Sequence, residues 1–188
     1  SYTASSGKII EAKKIFQFAL NSNPRNLLLN QYRIDLEEGK NINSFNCNNE
    51  QHVIAEILYI AANALSSQSI YPLSNFYLNL AKYLNKDFHS FDTLLAENFY
   101  KIDNFEKAKN IYKRLGKMGE AFKWHSTKQL ARIFIQEEKK DEAIKLTTNA
   151  YKNLINKEVY ETFDFAEFLK NNEKFEESIS YYTQVLEN

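Results

Sequence analysis

The chain has 188 residues, 44% hydrophobic and 26% charged, enough apolar material for one domain or one continuous solenoid, and this composition excludes disorder of the whole chain. Four Gly and two Pro are too few turn residues for a fold of many short strands. Lys plus Arg equals Asp plus Glu at 24 each, so no bulk basic field draws the chain to nucleic acid or anionic lipid.

The first predicted element, KIIEAKKIFQFALNS, is an amphipathic helix that stops at Asn23-Pro24, because proline biases its predecessor away from helical geometry. NLLLNQYRIDLEEG follows as a second helix closed by Gly39. Residues 40–50, KNINSFNCNNE, hold five Asn and read as an irregular loop. HVIAEILYIAANAL and PLSNFYLNLAKYL then form a helix pair, with Pro72 placed in the first turn of its second member. In 91–101, Leu95, Ala96 and Phe99 share one stripe. In 105–115, Phe105, Ala108, Ile111, Tyr112 and Leu115 share another. The polar break KIDN lies between them, where Asp103 or Asn104 is the expected cap. Two more pairs follow, 126–138 with 141–154 (Asp141 as cap) and 159–171 with 174–187.

The centres of the later second helices are small residues at 108, 143 and 178, a step of 35, and such a period marks a helical repeat array. The expected organisation is truncated helices over 1–39, a loop over 40–50 and four continuous pairs over 51–188. Both ends read as cut surfaces of a longer array, whose bare apolar edges suit self-association.

These segments resemble the tetratricopeptide repeat. The matching residues are Leu95, Ala96, Phe99, Phe105, Ala108 and Tyr112 in one unit, and Phe165, Ala166, Leu169, Phe175, Ser178 and Tyr182 in another. Between them stand Leu130, Ala131, Phe134, Ala143 and Ala150, with Lys140 and Thr147 in place of two aromatics. The first unit keeps Gly7, Ala12, Phe16, Ala19 and Pro24. The resemblance implies an all-α fold, a right-handed superhelix of antiparallel helix pairs. HVIAEILYIAANAL with FYLNLAKYLNKDF also looks like a segment of secreted repeat proteins of alphaproteobacteria, which implies a periplasmic location; the residues alone leave periplasm and cytoplasm both open.

In that family the first helix of each pair lines a concave face that binds peptides or helices. The corresponding positions here are Glu56, Tyr59, Asn63, Thr93, Glu97 and Tyr100, then His125, Lys128, Arg132 and Gln136, then Tyr160, Phe163, Glu167 and Lys170. Aromatic anchors among hydrogen-bonding groups suit a peptide groove, whereas the duller alternative is a solvated helix face with i, i+4 ion pairs. The family's carboxylate clamp is not matched: Asn63 fits one position, but Tyr59, Leu94, His125 and Gln129 occupy the other four. Lys128 and Arg132 remain placed to hold a carboxylate, unless a neighbouring acid such as Glu97 pairs with them first.

His52, His89 and His125 lack metal-ligand spacing, and Cys47, the sole cysteine, has no base beside it. No phosphate loop or nucleophile-elbow motif occurs, so neither an enzyme, nor a metal, nor a cofactor is expected. Trp124 is a hot-spot candidate, against a packing role with its N–H satisfied at the surface. The stretch 107–117 sets Lys107, Lys109, Lys113, Arg114 and Lys117 around Tyr112, which suits RNA or, more plainly, a solvated convex helix. No segment is long and apolar enough for a membrane span. The expected function is a non-catalytic adaptor that binds a peptide or helix of another protein. An RNA-binding repeat and a structural self-association module are the alternatives.

Overall fold

The computed structural model describes residues 9–40, 49–86, 89–155 and 157–187. Among them are ten α-helices and no strand, in two compact units. The first unit holds α1 (Ile9–Ser22), α2 (Leu27–Glu37), α3 (Glu50–Ser67), α4 (Tyr71–Leu84), α5 (Ser90–Lys101) and α6 (Phe105–Leu115). The second holds α7 (Glu120–Gln136), α8 (Lys140–Lys152), α9 (Val159–Asn171) and α10 (Phe175–Leu186). α3 packs on α4, α5 on α6, α7 on α8 and α9 on α10. Within the units α4 also meets α5, and α8 meets α9.

Each pair is held at its centre by two small residues twelve positions apart. Ala62 stands with Ser74, Ala96 with Ala108, Ala131 with Ala143 and Ala166 with Ser178, and none is more than 2% exposed. Without bulk at the crossing, the two helix backbones approach closely. Where the second residue is serine, its hydroxyl reaches a backbone oxygen of the facing helix: Ser74 Oγ donates to Ala62 O at 2.8 Å and Ser178 Oγ to Ala166 O at 2.9 Å. Larger residues fill the space beside the crossing. In the second unit the Tyr151 and Phe165 rings stack at 4.3 Å within a core that includes Trp124, Leu154 and Leu169.

The turn inside each pair is also the same. Ser69, Asp103, Glu138 and Glu173 adopt left-handed φ values of 63°, 57°, 61° and 65°. In each case the residue after the left-handed one donates its N–H six-to-one across the helix end: Ile70 to Leu65 O, Asn104 to Phe99 O, Lys139 to Phe134 O and Lys174 to Leu169 O, at 2.8–2.9 Å. This hydrogen-bond pattern satisfies carbonyls that a helix end would otherwise leave orphaned. α2 closes the same way, with Gly39 at φ 71° and Lys40 N–H on Asp35 O, so Gly39 is the stop that the sequence predicts.

Several local expectations shift. Of the two expected caps before α6, Asp103 is instead the left-handed residue, and Asn104 is the cap, its Oδ1 accepting from Lys107 N–H at 3.4 Å. Helix α8 starts at Lys140, so Asp141 lies inside its first turn and caps nothing; Lys139 holds the cap position without a side-chain bond. Helix α7 begins at Glu120 behind Gly119, six residues before the expected start at 126. The hydrophobic period there fades into KMGEAFK, which is what hid the extra turns. Asn49 caps α3 through its Oδ1, whereas residues 41–48 of the expected Asn-rich loop, with Cys47, lie outside the described residues, as does Gly7.

Two substitutions test these features. Ala96→Leu forces a branched side chain into a closed helix crossing and is expected to cost about 2 kcal/mol in urea unfolding, the usual scale of core overpacking. Glu138→Gly relieves a left-handed conformation that disfavours a Cβ. It is expected to stabilise by about 0.5–1 kcal/mol in the same measurement, despite the looser unfolded chain.

Candidate protein-binding faces

The predicted row of first-helix positions falls on α3 and α5 in the first unit and on α7 and α9 in the second. In the first unit the Tyr59 ring packs 5.4 Å from Phe91, and Tyr100 packs 5.7 Å from Phe105. Both tyrosines are therefore half-buried wall residues rather than free anchors. Burial raises the Tyr59 phenol above its ordinary pKa, with Glu56 beside it adding to the effect, and burial raises the Glu56 carboxyl as well. Thr93 turns its hydroxyl back onto Ser90 O at 2.8 Å. Glu97 accepts from the Tyr112 hydroxyl at 3.3 Å, with Lys101 Nζ at 3.8 Å. Asn63 is exposed on α3.

In the second unit Lys128 forms an ion pair with Asp164 and lies 5.9 Å from the Trp124 ring centre. The duller alternative holds for Lys128, and the partner is Asp164 instead of Glu97. Helical phasing accounts for this: Asp164 lies one position beyond Phe163 on α9, on the side turned toward α7. Glu167 accepts from Tyr182 at 3.0 Å and from Lys170 at 2.8 Å, while Phe163 packs 5.8 Å from the Tyr182 ring. The Glu167–Tyr182 bond repeats Glu97–Tyr112 at a distance of 70 residues, two periods. His125 and Arg132 are half-buried on α7, Gln136 is exposed, and Tyr160 keeps 44% of its surface in solvent.

Trp124 is 5% exposed inside the core, so the packing reading holds, but not its surface N–H: Nε1 is buried without a hydrogen-bond partner among the described residues. The basic stretch is also largely engaged. Lys109 pairs with Glu106 at 2.6 Å, Arg114 with Asp92 at 2.8 Å, and Lys107 lies 5.1 Å from the Phe99 ring centre. Asp92 is buried and takes Lys82 at 2.5 Å as well, so it fastens α4, α5 and α6 together. A buried network adds to this fastening: Asn98 donates to Ser74 Oγ and Asn75 Oδ1 at 2.8 Å each, and its carbonyl accepts from Ser66 at 2.6 Å. None of these polar groups was marked by the repeat pattern. Among the described residues no group of three His, Cys, Asp or Glu is placed to hold a metal ion, and no helix is long and apolar enough to cross a membrane.

Helix pairs stepping by 34 and 35 residues, each closed on two small side chains and a shared turn, decide the fold type. The pairs are tetratricopeptide-like. No family model matches the chain, and no curated protein matches it. Among solved structures it is similar to MamA, at 13% identity and a TM-score of 0.48 over 99% of this chain and 91% of that one. It is also similar to YrrB, a tetratricopeptide protein described as having an unusual peptide-binding site. There the identity is 15% and the TM-score 0.45 over 92% of this chain and 73% of that one.

Glu161, which the predicted row omits, is a half-buried carboxyl on α9 whose Oε2 has no hydrogen-bond partner among the described residues. Burial raises its pKa, and the nearby Glu158 and Asp164 carboxylates add repulsion. Its folded value lies above its unfolded value, so the folded chain holds this proton more tightly. Stability is therefore lost as pH rises from the unfolded to the folded value. Glu161→Gln keeps the shape and cannot ionise. Urea unfolding is expected to show wild-type stability for this variant near about pH 4, and higher stability than wild type at pH 7.

Proposed function

We propose that the first-helix face of each unit, taken by itself, binds an extended peptide or a helix of another protein, a binding rather than a catalytic role, and that it does so through hydrogen bonds and ring faces instead of net charge. The observation that supports this is how the charged members of the row are occupied. Lys128 is engaged by Asp164, Glu167 by Lys170 and Tyr182, and Glu97 by Tyr112. Asn63 and Gln136 are exposed, and Tyr160 keeps 44% of its surface in solvent. An amide can both donate to and accept from a peptide backbone, and a tyrosine supplies apolar contact at low entropic cost. Recognition of an acidic chain terminus by Lys128 would require breaking its ion pair with Asp164 first.

The test is selection of peptides from a display library on the full chain, followed by affinity measurement on the triple variant Asn63→Ala/Gln136→Ala/Tyr160→Ala. At least about tenfold weaker binding is expected, the size of one modest hot spot. Only a shallow dependence on salt is expected as well. Equal affinity for the variant, or binding that collapses between low and moderate salt, rejects the reading; the latter result is the signature of a polyanion such as RNA.

A further inference from the structure

At four counted places the outer face of α4 differs from those of α1, α6, α8 and α10, although α1 and α10 expose apolar residues elsewhere, such as Ile15 and Ile179. Counted from the small residue at the crossing, four places on the second helix of a pair face solvent. In α6 and just beyond it they are Lys107, Asn110, Arg114 and Lys117, and in α8 they are Glu142, Lys145, Asn149 and Lys152. In and beyond α10 they are Glu177, Ser180, Gln184 and Glu187. The same count from Ala12 in α1 gives Glu11, Lys14, Phe18 and Asn21. α4 alone is apolar at all four, with Leu73, Phe76, Leu80 and Tyr83 exposed by 44%, 57%, 39% and 77%. The sister helices act as an internal control: the fold does not require apolar residues here, so these four serve something outside the pair.

Their spacing of three, four and three is that of the seam between two helices in a coiled coil. The occupant is constrained by charge. From Gln51 to Ala81 the only charged residue is Glu56, and Lys82 beyond it is paired with Asp92, so apart from Lys86 past Tyr83 the sequence around the stripe offers little to attract an acidic or basic partner. A twofold contact brings identical surfaces together and is penalised by any net charge on them, a penalty that the α6 and α10 stripes would incur and the α4 stripe would not. The four exposures leave roughly 400 Å² of apolar surface on each copy, given about 150–250 Å² per large side chain. A pair then buries about 800 Å² from these residues alone, which is the small, weak class of interface.

We propose that α4 is a self-pairing helix, through which two copies of this chain form a weak dimer by packing Leu73, Phe76, Leu80 and Tyr83 against the same residues of the second copy. The stripe lies on a second helix, and none of its four residues belongs to the first-helix positions of its own unit.

Sedimentation velocity on the full chain tests this, with a reversible dimer expected to be visible by about 100 µM, as for a weak interface. The decisive variant, Leu73→Lys/Phe76→Asn/Leu80→Arg, carries the residues that α6 has at the same places and is expected to be monomeric at that concentration, with unchanged helical circular dichroism. The single variant Tyr83→Gln is expected to weaken the dimer severalfold, and Lys145→Ala, at the matching place on α8, to leave it intact. A wild-type chain that stays monomeric at about 100 µM overturns the proposal. So does a dimer that the triple and single variants leave unchanged. Cosedimentation of the wild type but not the triple variant with phosphatidylcholine vesicles would assign the stripe to a lipid surface and equally overturn it.

Discussion

The close approach at the centre of each helix pair constrains everything else in this chain. An alanine facing an alanine or a serine contributes little apolar area by itself. Its effect is geometric: it lets two backbones come near enough for the larger neighbours on each side to interlock. Close packing makes such a site intolerant in one direction only, since nothing larger fits, whereas the aromatics around it share their volume among several residues. The four crossings recur with the same internal spacing in both units. The rings around them change: Tyr151 with Phe165 and Trp124 in one place, Tyr59 with Phe91 in another.

Several acids and bases among the described residues are neighbours in space: Asp92 collects Lys82 and Arg114, Asp164 collects Lys128, and Glu167 collects Lys170. The exposed pair Lys170–Glu167 adds little stability, and salt weakens it further, whereas Asp92 is buried. The larger consequence of these pairs is on what can bind. A surface whose charges are already compensated discriminates by shape and hydrogen bonds, and attracts partners from a distance only weakly.

Much of the fold was legible because the repeat writes itself several times. The small residues at 108, 143 and 178, the break at KIDN and the stop at Gly39 all mark features that the structure contains. The start of α7 was not legible, because KMGEAFK, with Gly119 at its third place, carries no capping residue and a weak period. Nor were the caps: a left-handed residue in this turn suits Ser69, Asp103, Glu138 or Glu173 alike, so no residue type announced it. For the candidate faces, the row of positions could be read from the pattern but the occupancy could not. Whether Lys128 is available depends on Asp164, 36 residues away and one helix position off the row. The apolar stripe on α4 stayed hidden for the opposite reason: Leu, Phe and Tyr look like core until three sister helices show lysines, asparagines and glutamates at the same places.

The shared turn has a consequence for where this chain can change length. From first small residue to second the count is always twelve, because the left-handed residue and its hydrogen bonds leave no slack between the two helices of a pair. From Ser74 to Ala96 the count is 22, but from Ala108 to Ala131 and from Ala143 to Ala166 it is 23. All variation in the period therefore sits between pairs. One residue added inside a hairpin would rotate the second helix by about 100° and turn its small residue away from the crossing. The connections between one pair and the next, where the count does vary, are therefore the places where a homologue or a designer can insert, delete or graft.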